Sequence, residues 1–456
     1  VQENREGVAV RDRETDDSIR RGSRLLGIPV LRGLLGGSLL AGTLVVGGGA
    51  IVASAPAGAQ TTCPVSGPAT AAQNASTTGI TANSVTVGNV SIISGPVPGL
   101  FQGASIGVKA YFDSVNAKGG VYGRKLKVDA KDDAFSGSSN GTETQDAVNS
   151  DFAMVGSFSL FDGYGCKALA ADPAVPDVSV TLDPNAGALP NNFSAAPTVL
   201  GSSLGPFQYY RKHFPKDTTI GAIVSDVSSA EKQFQGEMAA AEHVGYKQGY
   251  VDYVNPLQKD FTTDVINMRN KGVTAVDLTA VDWQDAAIFV QNAATQNWHP
   301  GLIFSGGPVY AKQFISHAGG PAVANGIMIG QGFPLYLGED SSSVPAVNQF
   351  LKYTKQVSPS WVPDLYTLFG WASGQLFVQA LQSAGPHPTR GAVIDQLKKI
   401  TNFDASGMVS PSNPSAKKPS GCFVMATIKD GKFVRVVPKS GFDCNTSYFY
   451  APSPSS

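Results

Sequence analysis

The chain has 456 residues, 42% of them hydrophobic and 15% charged, which is enough apolar material for two sizeable cores. Its formal net charge is −1, and beyond residue 60 the balance is 27 basic against 29 acidic side chains. That balance implies none of the clustered Lys and Arg that release counterions from nucleic acid, so no nucleic-acid partner is expected.

The charges of the N-terminal region all fall in the first 32 residues, ending with Arg20, Arg21, Arg24 and Arg32, and none follows from residue 33 to 108. An apolar stretch after arginines that closes in small residues has the layout of an export signal. Ala57-Gly58-Ala59 supplies the A-x-A pattern that fits a signal peptidase, placing the cut after Ala59, with Ala55-Pro56-Ala57 as a second candidate. Residues 1–59 are therefore read as an export signal and 60–82, rich in Gly, Ala, Ser and Thr, as a flexible lead-in. An uncleaved anchor is the competing reading, since the run is long enough for a hydrocarbon core of about 30 Å. Either way the expected location is extracytoplasmic. Four cysteines with no C-x-x-C pair, in an exported chain, favour disulfides over zinc. Cys422 with Cys444 and Cys63 with Cys166 are the preferred pairings, and Cys166 as a buried small hydrophobe is the alternative.

Beyond residue 82, β-branched runs alternate with longer amphipathic stretches, the pattern of parallel sheets covered by helices. Strands are expected at 85–93, 126–129, 153–156, 178–181, 220–224, 250–254, 275–278, 302–304 and 326–329. Helices are expected at 101–117, 205–213, 229–244, 262–271, 283–296 and 365–383. The alternation breaks at 183–203, at 331–344 and at Pro411, Pro414 and Pro419, before a hairpin whose strands meet at Asp430-Gly431. Three breaks predict a chain that crosses between two lobes three times. The fold class is thus α/β, with two Rossmann-like lobes joined by a three-strand hinge of parallel strands. Lobe 1 comprises 83–203 plus 330–405, lobe 2 comprises 204–329 plus 406–446, and 447–456 is a tail.

Ser94-Gly95-Pro96-Val97, Gly107 in the first helix, Asn116-Ala117-Lys118-Gly119-Gly120, Gly123-Arg124-Lys125-Leu126 and Asp132-Asp133 follow one another at a specific spacing. In these residues, and more loosely to about residue 437, the chain resembles the branched-chain amino-acid-binding family, type I periplasmic binding proteins of ABC transporters. The resemblance implies a ligand carboxylate held on the first lobe by backbone N–H groups and hydroxyls at helix N-termini, where unpaired donors and the dipole favour negative charge. Carried over, the hydroxyls are Ser157 or Ser159, Ser179 and Thr181. The family's serine position falls on Leu160, so Ser159 serves only in a shorter loop. Leu100, Phe101 and Phe158 would form the side-chain wall.

The second lobe departs from the family. The acids that hold an amino acid's ammonium are replaced by Gly201-Ser202-Ser203 and by Ser305-Gly306-Gly307-Pro308, and the aromatic expected near Ala230 is missing. A buried ammonium without a counter-charge is costly, so a small carboxylate or amide with an apolar tail is expected ahead of an amino acid. Asp226 or Asp282 could restore the charge and Trp283 the ring. The expected function is the solute-binding, non-enzymatic and monomeric component of an ABC importer, with a small-molecule ligand, a membrane permease as partner and no cofactor or metal. A sensor ectodomain with the same fold is the alternative. A serine hydrolase is the remote one: Gly103-Ala104-Ser105-Ile106-Gly107 fits G-x-S-x-G, but Ser105 lies inside a helical stretch instead of on a strand-to-helix turn.

Overall fold

The computed structural model describes residues 63–452, so the export segment and the possible anchor lie outside the described residues. Among the described residues no helix is long and apolar enough to cross a membrane. The first sheet is built from β1 (Ser84–Ser91), β2 (Lys125–Asp132), β3 (Met154–Val155) and β4 (Asp177–Val178), all parallel in the order β2-β1-β3-β4. β1 is buried almost throughout, as an inner strand covered on both faces must be, and its run of Val85, Val87 and Val90 suits it to that place.

The chain then passes through a short extended piece, β5 (Gly201–Ser203), into a second sheet. This sheet holds β6 (Thr219–Ser225), β7 (Lys247–Val254), β8 (Ala275–Asp277), β9 (Leu302–Ser305), β10 (Met328–Gln331), β11 (Val424–Lys429) and β12 (Lys432–Val437), in the order β12-β11-β10-β9-β8-β6-β7. The pairs from β10 to β7 are parallel, whereas β11 runs antiparallel to both β10 and β12. Asp430 and Gly431 join β11 to β12 with φ of 52° and 71°, the two left-handed positions of a tight hairpin turn.

The helix Leu365–Ser383 returns to the first sheet and packs on Gln102–Asn116. A Cβ at Gly107 would stand 2.0 Å from Thr367 O, and one at Gly370 would stand 2.0 Å from Ala104 O, so both positions need glycine for the backbones to touch. Packing accounts for the G-x-S-x-G spacing, and the Ser105 hydroxyl donates to Gln102 O (3.1 Å) within its own helix.

Two expectations need correction. Residues 63–82, read as a flexible lead-in, are strapped to the first lobe: Cys63 is bonded to Cys166, Ser66 Oγ donates to Ala170 O (3.1 Å) and Gln73 Nε2 to Ala171 O (3.0 Å). Residues 448–450, read as tail, form β13 (Tyr448–Tyr450), which pairs antiparallel with β5. The aromatic side chains explain this, since Phe449 packs against the second lobe's core and Tyr448 OH donates to Val199 O (2.8 Å). The first crossing is therefore laddered to the C-terminal segment. The other two crossings meet each other, with Ser410 N donating to Gly332 O (2.6 Å). The second disulfide joins Cys422 to Cys444 beside the third crossing.

Candidate functional site

The C-terminal ends of the parallel strands face one cleft of about 360 Å³, where loops supply side chains on a rigid frame. Its apolar end is aromatic. Phe101, at the start of the helix Gln102–Asn116, meets Phe158 edge-on at 4.9 Å and Tyr366 at 4.4 Å, and Phe158 lies 5.9 Å from Phe369. Phe333, just past β10, completes this wall together with Leu100 and Val97. The Ser94 loop that carries this wall is fixed by Asp132, whose carboxylate accepts from Ile93 N (2.9 Å), Ser94 N (3.1 Å) and Ala134 N (2.9 Å).

The opposite side is polar and comes from the second lobe. Lys232, Gln233 and Glu237 project from the helix Ser228–His243, and Thr279 and Asp282 follow β8. Asp282 caps the helix Trp283–Thr295, accepting from Gln284 N (2.6 Å) and Asp285 N (3.0 Å). Burial raises the pKa of Asp282, while burial and then the charge of Asp282 push Asp285 up to about 8. Burial, followed by the charge of Asp277, lifts Glu237 well above the usual carboxylate range.

Bonds from the helix Ser228–His243 cross to the first lobe beside the cleft. Lys232 Nζ meets both carboxylate oxygens of Asp183 at 3.1 and 3.0 Å, and Ser229 Oγ donates to Leu160 O (3.2 Å). Both second-lobe donors lie in the first turns of one helix, and both acceptors lie in loops after β3 and β4.

Leu100, Phe101, Phe158 and Thr181 of the expected ligand contacts line this cleft. Ser157, Ser159 and Ser179 lie behind it, around a cavity of about 30 Å³, with their hydroxyls engaged inside the lobe. Ser157 Oγ accepts from Val90 N (3.1 Å), Ser179 Oγ accepts from Ser157 N (3.2 Å), and Ser159 Oγ donates to Asp133 Oδ2 (2.5 Å). Asp226 is exposed and Trp283 packs edge-on to His317 at 5.1 Å; neither lines the cleft. Lys232, Glu237, Gln331, Tyr366 and Phe369 were missed because each lies on a helix or strand end whose pattern reads equally well as a solvated face or as core. Among the described residues no cluster of His, Cys, Asp or Glu could hold a metal ion.

Asp162 stands at the back of the first-lobe wall, accepting from Leu182 N and from Asp183 N (3.1 Å), and burial pushes its pKa up to about 7. Asp162, Asp285 and Asp364, the last raised by burial to about 6, each bind a proton more tightly folded than unfolded. Stability from these groups is therefore present at low pH and is lost as pH rises through 6 to 8. A thermal melt series should show Tm falling from pH 5 to pH 8; a flat or rising Tm across that range would refute the assignment.

Comparisons with known proteins agree with this architecture. The family described as periplasmic binding protein matches residues 84–432. A Leu/Ile/Val-binding protein homologue from Brucella abortus is 24% identical over 379 residues, covering 78% of this chain and 91% of that protein. Among solved structures, a fatty acid ABC transporter substrate-binding protein from Thermomonospora curvata aligns with a TM-score of 0.69 at 18% identity, over 82% of this chain and 94% of the other. A branched-chain amino acid ABC transporter protein from Thermus thermophilus with bound valine aligns with a TM-score of 0.67 at 15% identity, over 81% and 97%.

Proposed function

The chain belongs to the periplasmic binding protein family, and from that premise we propose that it is the extracytoplasmic solute-binding component of an ABC importer, capturing a small molecule with an apolar body. The observation that carries this reading is the cleft itself: about 360 Å³ between two lobes, with an aromatic end and a polar end, the form of a small-molecule site. The ligand docks on the Phe101 wall, the second lobe closes over it, and a permease reads the closed shape. In this reading the two lobes are 83–203 with 330–405 and 204–329 with 406–446. The names of the similar proteins support both an amino-acid and a fatty-acid type of ligand, and an aromatic wall favours ligands with a hydrocarbon body over free polar ones.

A thermal-shift and calorimetric series on the full chain tests this, using ligands whose alkyl or phenylalkyl body grows one carbon at a time. Each buried methylene contributes about 0.8 kcal/mol, so affinity should rise about fourfold per carbon until the cleft is full. No stabilisation by any body would sink the solute-binding reading. Closure makes a companion prediction. Lys232→Met removes a half-buried interlobe pair, so the dissociation rate should rise about fivefold for every ligand that binds, as loss of a pair worth about 1 kcal/mol implies. An unchanged rate, read by stopped-flow fluorescence, would show that the pair plays no part in closure.

A further inference from the structure

We propose that Tyr448 is a specificity-determining residue: it closes the cleft where the first crossing enters the second lobe, and so sets the longest hydrocarbon body the protein accepts. The inference rests on the solute-binding reading and adds to it an upper limit of ligand length.

The first crossing forms a track. Residues 196–201 line the cleft without interruption, and Ala196, Pro197, Val199 and Leu200 among them are apolar. Ala196 packs against the cluster of Phe101 and Phe158, so the track starts at the aromatic wall. The Thr198 hydroxyl donates to Thr181 O and fixes its middle to the first lobe. A run of this length reaches at most about 20 Å, enough for an extended alkyl chain to lie along it.

The track ends at Tyr448. A Cβ on Gly201 would stand 3.0 Å from Tyr448 Cε1 and 1.9 Å from Phe449 O, so the ring and its strand lie directly on the last residue of the run. The Tyr448 hydroxyl reaches back to Val199 O (2.8 Å), which lays the ring across the end of the track. The helix Ser228–His243 closes the same corner: a Cβ on Gly236 would stand 2.4 Å from Gly201 N, and the next residue, Glu237, lines the cleft together with Tyr448. Side chains alternate along a strand, so Phe449 faces the second lobe's core while Tyr448 and Tyr450 face the other way; Tyr450 is 53% exposed and lies outside the cleft lining.

The ring is clamped in place. β13 pairs with β5, Leu204 N donates to Ser447 O (3.0 Å), Ala451 N donates to Leu200 O (3.0 Å), and the Cys422–Cys444 bond lies just before the strand. A side chain held on both flanks acts as a fixed stop, whereas one on a loose tail would yield to a longer ligand.

The test measures affinity by calorimetry on the full chain for straight-chain carboxylates from butanoate to hexadecanoate, the matching primary alcohols and the phenylalkyl series. In the parent, affinity should climb with each carbon, pass a maximum and then fall, because a body longer than the space overpacks it. Tyr448→Ala should move that maximum about two carbons longer, and the first body past the parent's maximum should bind the variant about tenfold more tightly than it binds the parent. Tyr448→Phe keeps the ring and loses only the bond to Val199, so its maximum should stay with the parent's. Tyr450→Ala is the control on the same strand and should also leave the maximum in place. If Tyr448→Ala does not fold, Tyr448→Leu replaces it, with an expected shift of about one carbon. A parent affinity that never falls within the series, a maximum unmoved in the folded variant, or an equal shift in Tyr450→Ala would overturn the inference and leave the solute-binding reading intact. Failure of the parent to bind any member would remove both.

Discussion

Replacing Arg390 by leucine is expected to cost the protein about 3–5 kcal/mol of stability, the loss typical of breaking one side of a buried ion pair. Arg390 is 3% exposed and opens the helix Arg390–Leu397. Its guanidinium meets Asp172 at 2.8 Å and donates to Val148 O (2.7 Å), Asp151 O (2.6 Å) and Phe152 O (3.2 Å). One side chain thus closes the end of the helix Gly137–Ser150 and the approach to β3, the strand whose C-terminal end carries Phe158. Leucine would fill the space but leave three carbonyls without donors in a place water reaches poorly, and would take from Asp172 its ion-pair partner. Lysine keeps the charge but not the planar fork, so Arg390→Lys should recover less than half of the loss. Urea titration reads both variants; a leucine variant within about 1 kcal/mol of the parent would show that these bonds contribute little net stability.

Removing the Cys63–Cys166 bond as a pair of alanines is expected to cost about 4 kcal/mol, and removing Cys422–Cys444 about 1 kcal/mol less. The first bond spans a sequence separation of 103 residues and the second 22, and a cross-link restricts the unfolded chain more when the loop it closes is longer. The first bond also holds the segment from Cys63 onto the short helix Cys166–Ala171, next to the turn that carries Asp162. Its loss should loosen that corner and weaken ligand binding as well as stability. Equal destabilisation by the two deletions, measured by urea titration of the full chain, would count against the loop-length explanation.

Much of the architecture was legible in the sequence. The alternation of β-branched and amphipathic stretches is local, and it marked the parallel strands and the helices that cover them to within a few residues. Asp430-Gly431 specified its hairpin because few other pairs accept two left-handed residues in succession. The apolar wall was half readable, since Leu100, Phe101 and Phe158 follow strands β1 and β3 at the end where such sheets place their ligands.

The polar half was decided by tertiary structure. Ser157, Ser159 and Ser179 have the residue type that receives a ligand, but a hydroxyl's partner is whatever the fold brings within 3 Å of it, and here that was Val90, Asp133 and Ser157. Asp162 takes the backbone donors of Leu182 and Asp183 across about twenty residues of intervening chain, and Lys232 meets Asp183 across the cleft from 49 residues away in sequence. Tyr366 and Phe369 join Phe158 from more than 200 residues away because Gly107 and Gly370 let two helices touch. Periodicity records which face of an element is buried, so the sequence alone determined the layers; hydrogen bonds and ring contacts depend on distances between remote segments, so only the folded chain decided which polar atoms remain for a ligand.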